Sequence, residues 1–224
     1  VLYNTYWVRF PHGGVDFDRA VENSETLIRA AEQAGVRRIV HVSITGASTE
    51  SPLPYFRGKG LVEEAIRGSR LSYAIVRPTV IFGKEDVLIN NIAWFLRKFP
   101  IFPVAGSGAY RLQPVYVEDV AYLAVWAGQD TADTVTDAVG PETFTFHDIV
   151  RLIGEAVGSH SRIVLVHPGA LRFLAGLMDY IVRDVVLTRD EMEGLMASLL
   201  VSDDPPTGQT RLSRWLEQNR HGLG

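Results

Sequence analysis

The sequence predicts a doubly wound α/β fold, a parallel sheet with a small α+β C-terminal cap. Three observations carry this expectation. Apolar runs of strand length alternate with amphipathic runs of helix length from Val1 to Pro78. The connections between them are short, as right-handed parallel crossovers require. The runs at Arg37–Val42 and LSYAIVRP are apolar along their length, as in strands covered on both faces.

Val1–Val8 is rich in β-branched and aromatic residues and predicts the first strand. PHGG at Pro11–Gly14 predicts a turn. Asp16 or Asp18 can cap a helix reaching about Ala34, with Val21, Leu27, Ile28 and Ala31 on its buried side and Gly35 as its stop. A strand at Arg37–Val42, a helix from Tyr55 to about Ser69 and a strand ending at Pro78 follow. Beyond Gly83 the alternation loosens. Val87–Lys98 predicts a helix, Leu112–Val117 a strand running into a helix that opens with Glu118 and Asp119, and Thr134–Val139 another strand. Thr145 is placed to cap an amphipathic helix over Phe146–Val157, and Ile163–Val166 is a last strand. Leu171–Val182, broken by Arg172 and Asp179, predicts an amphipathic core helix rather than a membrane span. The expected domains are residues 1–83, a sheet domain, and 84–224, a substrate-side cap, with Leu112–Val139 returning to the sheet.

Composition narrows the function. A net charge of −4 gives no general attraction to nucleic acid or to an anionic membrane. The absence of cysteine excludes disulfides, thiolate metal sites and a cysteine nucleophile. Six histidines show no metal-ligand spacing, so no metal site is expected. No G-x-S-x-G elbow supports a hydrolase. Glu85–Asp86 suits either a cation or a solvated loop. Trp94, Phe95, Phe99 and Phe102 suit either core packing or contact with a partner.

The chemistry gathers between Arg37 and Lys59. Tyr55 and Lys59, four residues apart on one helix, share a face. A cation there favours phenolate, which makes tyrosine usable as a general acid or base. With 8 tyrosines and three lysines in the chain, roughly 0.1 such pairs would arise by chance. Ser43 and Thr45, at the carboxyl end of a buried strand, can hydrogen-bond a substrate oxygen, or cap the loop and the next helix. Asn23, inside the first helix, either holds a water or carbonyl or is exposed.

The order of Asn23, HVSITG, Tyr55–Lys59 and VRPTVIFG resembles the short-chain dehydrogenase/reductase superfamily in its extended and atypical branches. YNTYWVRF, SPLPYFRGK, NNIAWFLRKFPIFPVAGSG, QPVYVEDVA and PPTGQTRLSRWL extend the likeness along nearly the whole chain. They are most similar to the atypical group that includes the nicotinamide-nucleotide-binding accessory subunit of respiratory complex I. The resemblance implies a Rossmann-like sheet, NAD or NADP as cofactor, and a carbonyl or alcohol substrate. It makes Tyr55 the acid/base and Lys59 both its activator and a ligand of the nicotinamide ribose. Thr45, or else Ser43, would hold the substrate oxygen, and Asn23 a proton-relay water. Asn4, Thr5 and Tyr6 would lie along the dinucleotide with Val42 and Ser43, and Pro78, Thr79 and Val80 would meet the nicotinamide.

The glycine motif that cradles a dinucleotide's phosphates is not in this sequence: Gly13–Gly14, Gly58 with Gly60 and Gly106 with Gly108 do not follow a strand and open a helix. The chain also opens at Val1, inside an apolar run. Both features predict a sheet lacking its N-terminal strands. The expected partners are a dinucleotide, a small-molecule substrate, and a second copy or a protein complex. No signal or transit segment is visible, so the expected location is the cytoplasm, with peripheral attachment to a respiratory complex as the alternative. Two functions stand: an oxidoreductase or epimerase/dehydratase, and a non-catalytic nucleotide-binding accessory module.

Overall fold

In a computed structural model of the protein, the described residues are 1–167, 169 and 189–224. The segment Leu171–Val182, expected as a core helix, lies outside them. The chain divides into two compact units: Val1–Thr79 with Glu118–Val139 and Ser202–Gly208, and Val80–Val117 with Gly140–Val201 and Gln209–Gly224.

The first unit is a four-stranded parallel sheet of β1 (Leu2–Asn4), β2 (Arg38–Val42), β3 (Ser72–Pro78) and β8 (Thr134–Ala138), in that order. This is the α/β architecture expected. β1 stops at Asn4, short of the expected Val8, because the Asn4 side chain accepts the Tyr6 N–H at 3.0 Å and turns the backbone out of the strand. Helix α1 (Phe17–Gln33) starts where Asp16 accepts the Arg19 N–H and stops at Gly35, whose φ of +71° an L-residue adopts only under strain. Helix α2 (Pro54–Arg67) opens on a proline, whose missing N–H costs nothing in the first turn.

The register aligns Leu2 with Ile39 and Tyr73, and Asn4 with His41 and Ile75. Alternation along strands therefore sends Ile39, His41 and Ile75 to one face, where Val21 and Ile28 of α1 and Val62 and Ile66 of α2 bury the apolar members. The opposite face carries Val40, Ala74, Val76 and the buried Arg38. Arg38 donates to the carbonyls of Ala127, at the end of helix α4 (Val117–Gln129), and of Ala132, at 3.0 and 2.8 Å, and to Ser72 Oγ. These bonds fasten the start of β2 to the approach to β8.

The second unit has its own core, in which helix α3 (Val87–Lys98) and helix α5 (Phe146–Ala156) contribute Ile89, Ile92, Leu96, Ile149 and Ile153. Asp86 and Thr145 cap these helices, Thr145 in the expected position. The strand expected over Leu112–Val117 is instead two short ones, β6 (Arg111–Leu112) and β7 (Val115–Tyr116). Pro114 between them cannot donate to a ladder, and the Gln113 N–H turns to the Leu200 carbonyl. Among the described residues no helix is long and apolar enough to cross a membrane.

Candidate functional site

Parallel strands present their carboxyl ends on one edge of the sheet, and open α/β folds place ligands there. In the first unit that edge collects Asn4, Val42, Ser43, Thr45 and Pro78. Residues 48–53 of the loop lead from it into α2. Gly60 allows close packing here: a Cβ at that position would stand 2.4 Å from the Ser48 carbonyl carbon.

Lys59 is 3% exposed. Its Nζ donates to the Val42 carbonyl at 2.9 Å and lies 5.0 Å from the centre of the Trp7 ring. Burial pulls the ammonium down to about 7, against the opposing pull of the Glu63 carboxylate. An ammonium has three donors, and Val42 is its only acceptor among the described residues. Among the described residues the remaining donors have no acceptor, a costly arrangement in the interior unless a ligand or water supplies one.

Tyr55 sits one turn earlier on the same helix. Its ring meets Trp7 edge-on at 6.0 Å, Phe17 at 5.7 Å and Phe56 at 5.6 Å. Tyr55 and Lys59 thus border the same indole.

Asn4 is buried and bonded through both its amide oxygen and its amide nitrogen. Its Oδ1 accepts from Tyr6 N–H, which fixes the amide's orientation, so Nδ2 donates to His41 Nδ1 at 3.1 Å. The proton of this imidazole therefore sits on Nε2, which is buried and has no hydrogen-bond partner among the described residues. Burial first, and then the Lys59 charge, push the His41 imidazolium down to about 3.

The two hydroxyl candidates have protein partners. Ser43 Oγ donates to Glu63 Oε1 at 2.6 Å, and Thr45 Oγ1 to the Pro78 carbonyl at 3.4 Å. Glu63, buried in α2, also accepts from Arg77 Nε at 2.9 Å, from Arg77 Nη2, and from Arg67 Nη2 at 3.2 Å. Both carboxylate oxygens are doubly engaged, and the hydrogen bonds that Arg77 makes to Glu63 raise its guanidinium above its usual range.

The other expected positions are more peripheral. Asn23 donates to the Tyr6 hydroxyl at 2.9 Å, so these two candidates meet each other. Thr5 is exposed. Thr79 is buried, with its N–H on the Ala138 carbonyl, while Val80 belongs to the second unit, where its carbonyl accepts from Val115 N–H. Trp7, His41 and Glu63 were not among the expected site residues. Glu63 extends the Tyr55–Lys59 ladder by one further turn, and His41 is a polar residue inside a run otherwise suited to burial. Only tertiary contact singles out Trp7.

Residues 5–89 match a family described as NAD(P)H-binding. The mitochondrial NADH dehydrogenase (ubiquinone) 1 alpha subcomplex subunit 9 of Arabidopsis thaliana is 30% identical over 186 residues, 78% of this chain and 46% of that protein. The mitochondrial NADH-ubiquinone oxidoreductase 40 kDa subunit of Neurospora crassa is 26% identical over 197 residues, 86% of this chain and 51% of that one. The chain thus spans about half the length of these curated relatives. In fold it resembles DesIV, a dTDP-glucose 4,6-dehydratase of Streptomyces venezuelae solved with NAD and TYD bound. The TM-score is 0.65 at 19% identity, covering 99% of this chain and 73% of that one.

Proposed function

Taking as premise that this chain carries an NAD(P)-binding Rossmann domain homologous to the alpha subcomplex subunit 9 of NADH dehydrogenase, we propose that Tyr55 and Lys59 form its nicotinamide-ribose end and serve a carbonyl–alcohol interconversion. The observation that carries this reading is Lys59: a buried ammonium with one protein acceptor and donors to spare. A ribose diol offers oxygens of the kind those donors lack, so the residues fit the group. The 224 residues contain no glycine-rich phosphate motif, and the reading is confined to the nicotinamide half.

A bound nicotinamide supplies a hydride acceptor or donor. The chain's own residues do the rest. Lys59 orients the ribose and stabilises phenolate on Tyr55. Tyr55 holds or gives the proton at the substrate oxygen. Thr45 takes that oxygen by turning its hydroxyl from Pro78. Ser43, already committed to Glu63, is the lesser candidate. Asn4, Thr5, Tyr6, Val42, Ser43, Pro78 and Thr79 line the dinucleotide, and Asn23, which donates to Tyr6 through Nδ2, holds the relay water through Oδ1.

The decisive experiment is Tyr55→Phe assayed with NADH and NADPH against a panel of carbonyls and alcohols. Turnover should fall by at least about a hundredfold, the scale of a lost general acid, with nucleotide affinity within about twofold. A variant as active as the wild type sinks the catalytic assignment.

One set of observations favours a second reading. Both hydroxyl candidates are engaged within the protein, and the two relatives above are named as subunits of NADH dehydrogenase. In this reading the nucleotide is a structural ligand of an accessory module at the periphery of a respiratory complex. The first reading keeps the cytoplasmic placement and a small-molecule substrate, with a homodimer as assembly. Nucleotide that co-purifies with the wild-type protein yet is turned over by no member of the panel selects the second.

A further inference from the structure

The indole of Trp7 touches both members of the pair. Lys59 Nζ lies 5.0 Å over its ring, and Tyr55 packs against its edge at 6.0 Å and 89°. Phe17 stacks on it at 6.2 Å, only 9° from parallel, and meets Tyr55 edge-on, so three rings brace one another. Gly58 makes the arrangement possible, since a Cβ there would stand 2.7 Å from Trp7 Cη2 and 3.0 Å from Cζ2.

We propose that Trp7 is the positioning residue of the Tyr55–Lys59 pair: its ring face seats the Lys59 ammonium against the Val42 carbonyl, and position 58 is glycine so that the indole can lie there. The consequence for nucleotide binding rests on the function proposed above. The geometry does not.

Two effects of opposite sign meet at Lys59. Burial disfavours its charge, whereas the electron-rich face of a tryptophan favours it, most strongly when desolvated. The other charged and titratable groups nearby are few. Glu63, one turn along α2, attracts the ammonium but shares its charge with Arg67 and Arg77. His41, from β2, is held neutral, and Tyr55 precedes Lys59 by one turn. The α1 groups in contact with Trp7 or closest to Gly58, Phe17 and Val21, carry no charge.

The test titrates lysine side chains by NMR in the nucleotide-free protein, which is simple because the chain has only Lys59, Lys84 and Lys98. Trp7→Leu keeps an apolar cover and removes the ring face, so the Lys59 midpoint should fall by about one pH unit. Trp7→Phe should stay near wild type. Gly58→Ala, which displaces the indole, should lower the midpoint as Trp7→Leu does. Combining Gly58→Ala with Trp7→Phe should restore it, because the smaller ring clears the new methyl group. A Lys59 midpoint unmoved by Trp7→Leu overturns the proposal. If Trp7→Leu does not fold, failure of the double variant to restore Gly58→Ala overturns it equally. NADH affinity forms a separate arm. Midpoints that shift as expected, in a protein that binds no nucleotide even as wild type, uphold Trp7 and refute the proposed function instead.

Discussion

Two buried polar clusters share one face of α2, a single turn apart. Around Glu63 each carboxylate oxygen accepts two bonds, from Ser43, Arg77 and Arg67. Around Lys59 the balance is the reverse: among the described residues one carbonyl accepts, the further donors have no partner, and the neighbouring His41 Nε2 has none either. A cluster whose valences are filled by the protein holds the fold together. A cluster with buried donors left over is built at a cost in stability, and a ligand rich in acceptors recovers it. On the function proposed above, Lys59 belongs to the cluster that binds, while the bond of Arg77 to Glu63 holds β3 to α2.

The largest effect expected from breaking that contrast is on stability. Glu63→Ala leaves Arg77, Arg67 and Ser43 without their acceptor and should cost about 3 kcal/mol. For a chain of this size that is a fall of roughly 6–12 °C in the thermal midpoint. A midpoint within a degree or two of wild type would erase the distinction between the clusters.

Lys59→Met should do the opposite. It removes a poorly satisfied charge from the interior, so stability should hold or rise. Nucleotide affinity should fall about ten- to a hundredfold, the scale of a charged hydrogen bond. Calorimetric titration with NADH against wild type measures this, and unchanged affinity would remove Lys59 from the site.

Within the Lys59 cluster, Lys59 and His41 should respond to pH in different ranges. Lys59 is lowered from 10.5 to about 7. Between those values the unfolded chain binds a proton that the native protein does not, so stability from this group rises with pH. Nucleotide binding that needs the ammonium weakens over the same rise, beginning near pH 7. His41, lowered from 6.5 to about 3, contributes a stability that is lost as the solution is acidified through that interval. Thermal midpoints recorded across pH should flatten above 7 in Lys59→Met and below 6.5 in His41→Gln. Parallel curves for wild type and variants would contradict both assignments. The smallest effect belongs to Asn23→Ala, which deletes one partly exposed bond to Tyr6. It should change stability by no more than about 0.5 kcal/mol, and a loss near that of Glu63→Ala would show the margin to be integral to the site.

Much of this was legible in the sequence wherever one local rule decides. Asp16 and Thr145 act as caps, Gly35 ends α1, and α3 spans Val87–Lys98 as its pattern predicts. The pairing of Tyr55 with Lys59 on one helical face needs only the helical period. Legibility ends where distant segments meet. Asn4 looks like one more strand residue until its side chain captures Tyr6 N–H, and β1 is shorter for it. The roles of Ser43 and Glu63 are set by a contact spanning 20 residues, and that of Trp7 by a glycine some fifty positions away. No periodicity encodes such meetings. The glycines at 58 and 60, barren as a phosphate motif, have a use only once Trp7 and Ser48 are seen beside them.

The order in which the first unit uses its chain has a consequence for its synthesis. Val139 at the end of β8 is closed off by Thr207 and Gly208, whose N–H groups both bond its carbonyl while Thr207 Oγ1 accepts its N–H. Residues 1–79 therefore leave the ribosome with β3 unpaired on the side that β8 will take, and the Val139 bonds wait for residue 208. At ordinary elongation rates that interval is on the order of 10 s. Until residues 134–138 follow, that edge of β3 stays open, and an unpaired strand edge is a template for pairing with another chain.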